Sequence, residues 1–299
     1  MTLQLDWLRG CMTALVTPFI ADGAVDEKRL RELIEYQIAG GVRVLVPCGT
    51  TGESVTMTEE ENQLVISTAV ELAQGRAKVI AGTGSNSTAV SIARSQAARS
   101  LGVDGVLTVA PYYNKPTQEG LYRHFRAVAE SSALPIILYN IQGRTAVNVE
   151  TDTLARLVRD CPTIVGVKEA SGSLDQMSQV ILACGPDFSV LSGDDNITLP
   201  LLAIGGRGVV SVIANILPRE TSDMVHAALD GDWKRARELH YRLFPLARAA
   251  FLETNPIPIK EAMAMAGMLE PEFRLPMCRM SDANRDKLRG ILRTYGLVK

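Results

Sequence analysis

The chain lacks the features that mark several large functional classes. Its five cysteines, Cys11, Cys48, Cys161, Cys184 and Cys278, are scattered, odd in number and never spaced C-x-x-C. That argues against a disulfide framework or a cysteine zinc site and fits free thiols in a reducing compartment. Only three histidines are present, His124, His226 and His240, all in helical patterns, so neither a histidine triad nor a histidine-ligated metal is expected. Charge excess is also missing: 31 Lys and Arg face 33 Asp and Glu, for a net charge of -2. With no block of like charge, there is no electrostatic footprint for nucleic acid. The opening "MTLQLDWLRG" has no basic start leading into an apolar run, and no later run reaches membrane-spanning length without a charge or a breaker. The expectation is a cytoplasmic protein that does not enter a membrane and whose partners are small molecules.

What is present is alternation. At 299 residues and 46% hydrophobic, the chain can bury one large core or two smaller ones, so its organisation must be read from pattern. Short β-branched runs alternate with amphipathic segments up to about residue 230, the signature of a parallel sheet with helical crossovers. Eight strands are predicted, at 11–17, 42–48, 78–84, 105–111, 135–140, 163–170, 188–194 and 208–214. Between the first two, Leu30, Leu33, Ile34 and Ile38 repeat at helical spacing, and Thr58 with Glu61 reads as a capping box. Eight strands each followed by a helix predict a (β/α)8 TIM barrel, and no glycine-rich dinucleotide turn follows the first strand. After residue 230 the pattern is purely helical, including 257–267 and 282–296. The division expected is a catalytic barrel at 1–230 and a C-terminal helical region at 231–299 packed on it.

In such barrels reactive groups sit at the C-terminal ends of strands and in the loops that follow. The sixth strand, "IVGVKEASGS", places Lys168 in an apolar run. Alternation puts Val165, Val167 and Glu169 on one face and Gly166, Lys168 and Ala170 on the other, and the small neighbours would leave room for a substrate. An apolar wall lowers a lysine pKa toward the neutral amine that attacks carbonyls; the competing reading is a lysine paired with an acid across the barrel. "LYNIQGRT" ends the fifth strand with Tyr139, able to pass protons, and then Arg144, suited to a carboxylate. "PCGTTGES" offers Thr50 and Thr51 to an anion without the ending of a P-loop. "APYYNKPTQEG" carries Tyr112 and Tyr113, a site wall or an interface. In "SGDDN", Asp194 or Asp195 reads as a helix N-cap rather than a metal ligand.

Taken in order, "GTTGES", "PYYNKP", "YNIQGRT", "VGVKEASG", "SGDD", "GGRGVVSV" and "NPIPIKEAM" closely resemble the dihydrodipicolinate synthase family of the N-acetylneuraminate lyase superfamily. The resemblance implies a cofactor-free and metal-independent lyase of lysine and diaminopimelate biosynthesis, commonly a homotetramer. In it, Lys168 would form a Schiff base with pyruvate, whose enamine attacks L-aspartate 4-semialdehyde. By the same resemblance Thr50, Tyr139 and Tyr113 form a proton relay, with Tyr113 reaching in from a neighbouring subunit. Thr51, Gly193 and Val210 then belong to the substrate-binding set, Thr51 taking the pyruvate carboxylate and Arg144 that of the semialdehyde. Two departures stand out. Gln142 replaces the family's usual proline, which loosens the arginine loop, and Glu59, Asn62 and Val90 stand where lysine-inhibited members carry two histidines and a glutamate, so inhibition by lysine is expected to be weak or absent. The enzymatic rival is an aldolase of 2-keto-3-deoxy sugar acids or of N-acetylneuraminate type; the rival from another class is a barrel that only binds keto acids.

Overall fold

The computed structural model describes residues 5–299. Strands β1 (Gly10–Ala14), β2 (Val44–Val46), β3 (Lys78–Gly82), β4 (Gly105–Val109), β5 (Ile136–Asn140), β6 (Ile164–Glu169), β7 (Ser189–Ser192) and β8 (Gly208–Ser211) pair in parallel, each with the next. β8 closes on β1 with Met12 opposite Val210. Nearly every strand residue is buried, which is why the strands read as unbroken apolar runs rather than alternating ones. All eight predicted strands are present. Several were predicted too long at their C-terminal ends: β3 stops at Gly82 and β7 at Ser192, where the chain leaves the sheet to form the loops at the barrel mouth.

Two apolar layers result. Met12, Val44, Val46, Ile80, Leu107 and Leu191 fill the barrel interior, while Leu45, Val79, Val106, Leu138, Val190 and Val209 face outward against the helices. The helix Glu27–Ala39 buries Leu30, Leu33 and Ile34. The Thr58–Glu61 capping box opens the helix Glu59–Ala73 as predicted: Glu61 N donates to Thr58 Oγ1 at 3.2 Å and Thr58 N to Glu61 Oε2 at 2.9 Å.

Around residue 230 a short turn at Gly231 separates the helices Pro218–Leu229 and Trp233–Ala249. The later helices Ile257–Met265 and Asp282–Thr294 complete the tail. Leu239, Leu246, Ile259, Met263 and Leu288 of these helices belong to the same apolar cluster as the outer faces of the strands.

The tail is also tied to the mouth by charge. Lys260 has no exposed surface and donates to Glu53 Oε1 at 2.6 Å. Its ammonium lies 4.4 Å from the Phe19 ring centre and 4.9 Å from that of Phe273. Arg274 reaches the same region, donating to the carboxylate of Glu61 and to the carbonyls of Gly23 and Thr56. Removing one member of a buried pair strands the other charge, at a cost of about 3–5 kcal/mol, whereas replacing both with apolar groups is often near neutral. Lys260→Met is therefore expected to lower the unfolding free energy by several kcal/mol and Glu53→Leu/Lys260→Met by much less, as read by urea denaturation.

Candidate active site

The ends of β2 to β5 and the tail enclose a cavity of about 280 Å³ lined by Thr50, Tyr112, Tyr139, Arg144, Asn255 and Met277, among others. It therefore opens on the C-terminal face of the barrel, where the chemistry of this fold is found. Gly82 shows how tightly the strand ends are drawn in there: a Cβ on it would lie 2.2 Å from the carbonyl oxygen of Cys48.

Lys168 is only 6% exposed. It sits in β6 between Tyr139 of β5 and Leu191 of β7. Its Nζ is 4.2 Å from the centre of the Tyr139 ring, and that ring forms part of the cavity wall. Burial pulls the lysine pKa down to about 8; Asp194 and Asp195 push the other way, and Arg144 adds to the lowering. The contrast with Lys260 is informative. Both lysines are buried, but Lys260 has a carboxylate at 2.6 Å whereas, among the described residues, Lys168 has none within 4.0 Å. An ammonium without a close counter-ion in such a place is poised to lose its proton. The reading of Lys168 as half of an ion pair across the barrel is thereby set aside.

Tyr139 is 6% exposed and its phenol is held well above its usual pKa, first by burial, with Arg144 and Thr50 acting in the opposite sense. It stays protonated and can donate or accept within a hydrogen-bond chain. Arg144 lies in a single helical turn, Gln142–Thr145, and donates from Nη2 to the carbonyl of Asn255 at 3.0 Å. A sequence profile of the Dihydrodipicolinate synthetase family matches residues 7–295. The chain belongs to this family. The 4-hydroxy-tetrahydrodipicolinate synthase of Nitratidesulfovibrio vulgaris is 52% identical over 289 residues, covering 97% of this chain and 99% of that protein. The crystal structure of dihydrodipicolinate synthase from Aquifex aeolicus superposes with a TM-score of 0.95 at 49% identity, over 97% of this chain and 98% of the other. The chloride-inhibited dihydrodipicolinate synthase of Acinetobacter baumannii, complexed with pyruvate, also gives a TM-score of 0.95, at 41% identity over 97% of this chain and all of that one.

For a member of the dihydrodipicolinate synthetase family, the residues singled out from sequence divide into two groups. Thr50, Tyr139 and Arg144 line the cavity, with Lys168 against Tyr139 and a buried Thr51 beside Asn255. Tyr113 is not with them: it is 88% exposed at a φ of +74°, while Tyr112 faces the cavity. Gly193 packs on Ala170, whose Cβ would be 2.5 Å from a Cβ at 193, and Val210 lies in the barrel interior. Gln142 stands first in its helical turn, a place where proline is favoured because no intrahelical bond needs its N–H. The loop is nonetheless held, through the bond from Arg144 to Asn255.

Three sequence inferences need correction. Alternation along β6 fails at Val165, which packs in the interior cluster, because the register with β5 shifts between Ile136 and Ile137. Gly166 does not make room for substrate; a Cβ there would meet the Ser189 carbonyl oxygen at 2.7 Å. Asp194 occupies an N-cap position but makes no capping bond with its side chain. Asp195 is a buried tie between strand ends, accepting from Ser211 Oγ and from the backbone N–H groups of Val212 and Ile213.

Sequence reading also missed residues whose role depends on distant contacts. Glu169, beside Lys168 but facing away, accepts from Asn140, Gln176 and the Ser171 N–H. Asn255 contacts both Thr51 and Arg144; the only signal for it was its place in the motif "NPIPIKEAM".

The lowered pKa of Lys168 carries a stability consequence. Between pH 8 and 10.5 the unfolded chain binds a proton that the native state does not, so stability rises with pH through that window. Below it the full penalty is present, roughly 3 kcal/mol at about 1.4 kcal/mol per pKa unit. Lys168→Met should therefore unfold at higher urea than the parent at pH 7, and the difference should shrink toward zero near pH 10. A difference independent of pH would contradict the depressed pKa.

Proposed function

We propose that this chain is a 4-hydroxy-tetrahydrodipicolinate synthase, a lyase of lysine biosynthesis that joins pyruvate to L-aspartate 4-semialdehyde through a Schiff base on Lys168. The carrying observation is a buried amine with no close counter-ion among the described residues, its pKa drawn down to about 8, packed on a protonated phenol at the wall of the cavity. The neutral amine adds to the ketone carbon of pyruvate and water leaves, giving an iminium. Loss of a methyl proton turns the iminium into an enamine, whose carbon attacks the semialdehyde's aldehyde carbon and takes its oxygen to a hydroxyl. The semialdehyde's amine then closes the ring on the imine carbon and releases Lys168. Every step shifts a proton and none changes the net oxidation state, so the reaction calls for no redox cofactor, and the iminium supplies the electrophile that a metal ion would otherwise provide.

Tyr139 and Thr50 form the relay for these protons. Thr51 holds the carboxylate of pyruvate and Arg144 that of the semialdehyde; Gly193 and Val210 complete the substrate-binding set through the strand ends that carry them. Tyr113, exposed as it is in one copy, completes the relay of a neighbour in a homotetramer built from dimers. The enzyme works in the cytoplasm on small-molecule substrates. Arg144 favours a substrate with a second carboxylate over the polyol substrates of sugar-acid aldolases, and the unpaired amine favours catalysis over keto-acid binding alone. Lysine inhibition is weak or absent: Glu59 is engaged by Arg94, Asn62 spends its amide on the carbonyls of Ser54 and Thr58, and Val90 offers no acceptor for an ammonium.

Steady-state kinetics with pyruvate and a panel of aldehydes tests the assignment. Turnover with L-aspartate 4-semialdehyde is expected, insensitive to millimolar L-lysine. Arg144→Ala should lose about 10- to 100-fold in kcat/KM, the range of a charge-assisted hydrogen bond of 1.5–3 kcal/mol, and an aldehyde without the carboxylate should show a matching loss. Preference for polyhydroxylated aldehydes would instead identify a sugar-acid aldolase.

A further inference from the structure

We infer that Asn255 is a positioning residue that sets the carboxylate-holding groups of both substrates at once, its side chain fixing the hydroxyl of Thr51 and its main-chain carbonyl fixing the guanidinium of Arg144. The inference rests on the roles proposed above for those two residues.

Asn255 enters from the tail and is 5% exposed, yet it lines the cavity. Its Nδ2 donates to Thr51 Oγ1 at 2.9 Å, across 204 residues of sequence. A hydroxyl has one proton and two acceptor sites. When the Thr51 oxygen accepts from Asn255, its own proton is released from internal use and can be given to an anion. The opposite amide orientation would invert this, because Thr51 would then donate to Asn255 and have no proton left for a substrate carboxylate.

Among the described residues Asn255 Oδ1 has no protein partner, and Asn255 is part of the cavity wall. On the other side, Arg144 Nη2 donates to the Asn255 carbonyl at 3.0 Å. A guanidinium has five N–H donors in a planar fork, so one anchoring bond orients the plane and leaves four donors for a carboxylate. A single tail residue therefore sets the spacing between the two carboxylate sites. Lys260, five residues further on, holds Glu53 of the same mouth loop, so that loop is gripped at two points.

Kinetics of four variants tests this. Thr51→Val should raise the KM for pyruvate. Asn255→Ala removes the amide but keeps the carbonyl, and should raise the pyruvate KM about tenfold, with a smaller effect on kcat and on the KM for the semialdehyde. The isosteric Asn255→Asp, which accepts where Asn255 donated and adds a negative charge, should raise the pyruvate KM further still. Thr51→Val/Asn255→Ala should be no worse than Thr51→Val, because both act through one hydroxyl. Thermal melting checks folding of each variant, and the isosteric Asp variant carries the test if the Ala variant is unstable. A normal pyruvate KM in both Asn255 variants beside a raised one in Thr51→Val, or fully multiplicative effects in the double variant, would overturn the positioning role alone. A normal pyruvate KM in Thr51→Val would overturn the reading of Thr51 itself, and the inference with it.

Discussion

A primary amine attacks a carbonyl only when it is neutral, and burial at this barrel mouth brings one amine, that of Lys168, toward that state. Burial lowers the pKa of Lys168 to about 8, and among the described residues no carboxylate lies within 4.0 Å to undo the effect. Asp194 and Asp195 act on it only as charges without a salt bridge to it. Asp195 is already committed to Ser211 and two backbone N–H groups, and Glu169 is turned away into the asparagine and glutamine side chains behind β6. Asp195 and Glu169 are thereby given partners other than Lys168. This is a stability cost at the proposed reactive site, the trade expected where function and folding compete.

The second constraint is that a small cavity at a barrel mouth must be walled by loops, the least rigid parts of the chain. Here the tail supplies the rigidity. Lys260 is sealed under two aromatic rings against Glu53, Arg274 spans to Glu61 and Gly23, and Asn255 touches Thr51 and Arg144. Each tie reaches a residue more than a hundred positions away in sequence, so the helices after residue 230 take part in shaping the mouth as well as covering the barrel.

That division explains what could be read in advance. The strands were legible because strands buried on both faces leave continuous apolar runs, and the Thr58–Glu61 cap because its chemistry is local. Lys168, Tyr139, Thr50 and Arg144 could be singled out because strand ends in this fold mark the reactive face. The failures share a cause. The register shift opposite Ile136 that moves Val165 inward, the tie made by Asp195 and the contacts of Asn255 all depend on which distant residues lie alongside, and no local pattern encodes that. Gly166 was misread for the same reason: its missing side chain answers to Ser189 on the next strand, not to a ligand.

The central claim is that Lys168 bonds covalently to pyruvate. Intact-protein mass spectrometry after incubation with pyruvate and borohydride, on the parent chain and on Lys168→Ala, tests it most directly. The account predicts one reduced pyruvyl adduct per chain in the parent and none in the variant. A parent chain that gains no mass, or a variant that still does, would contradict it.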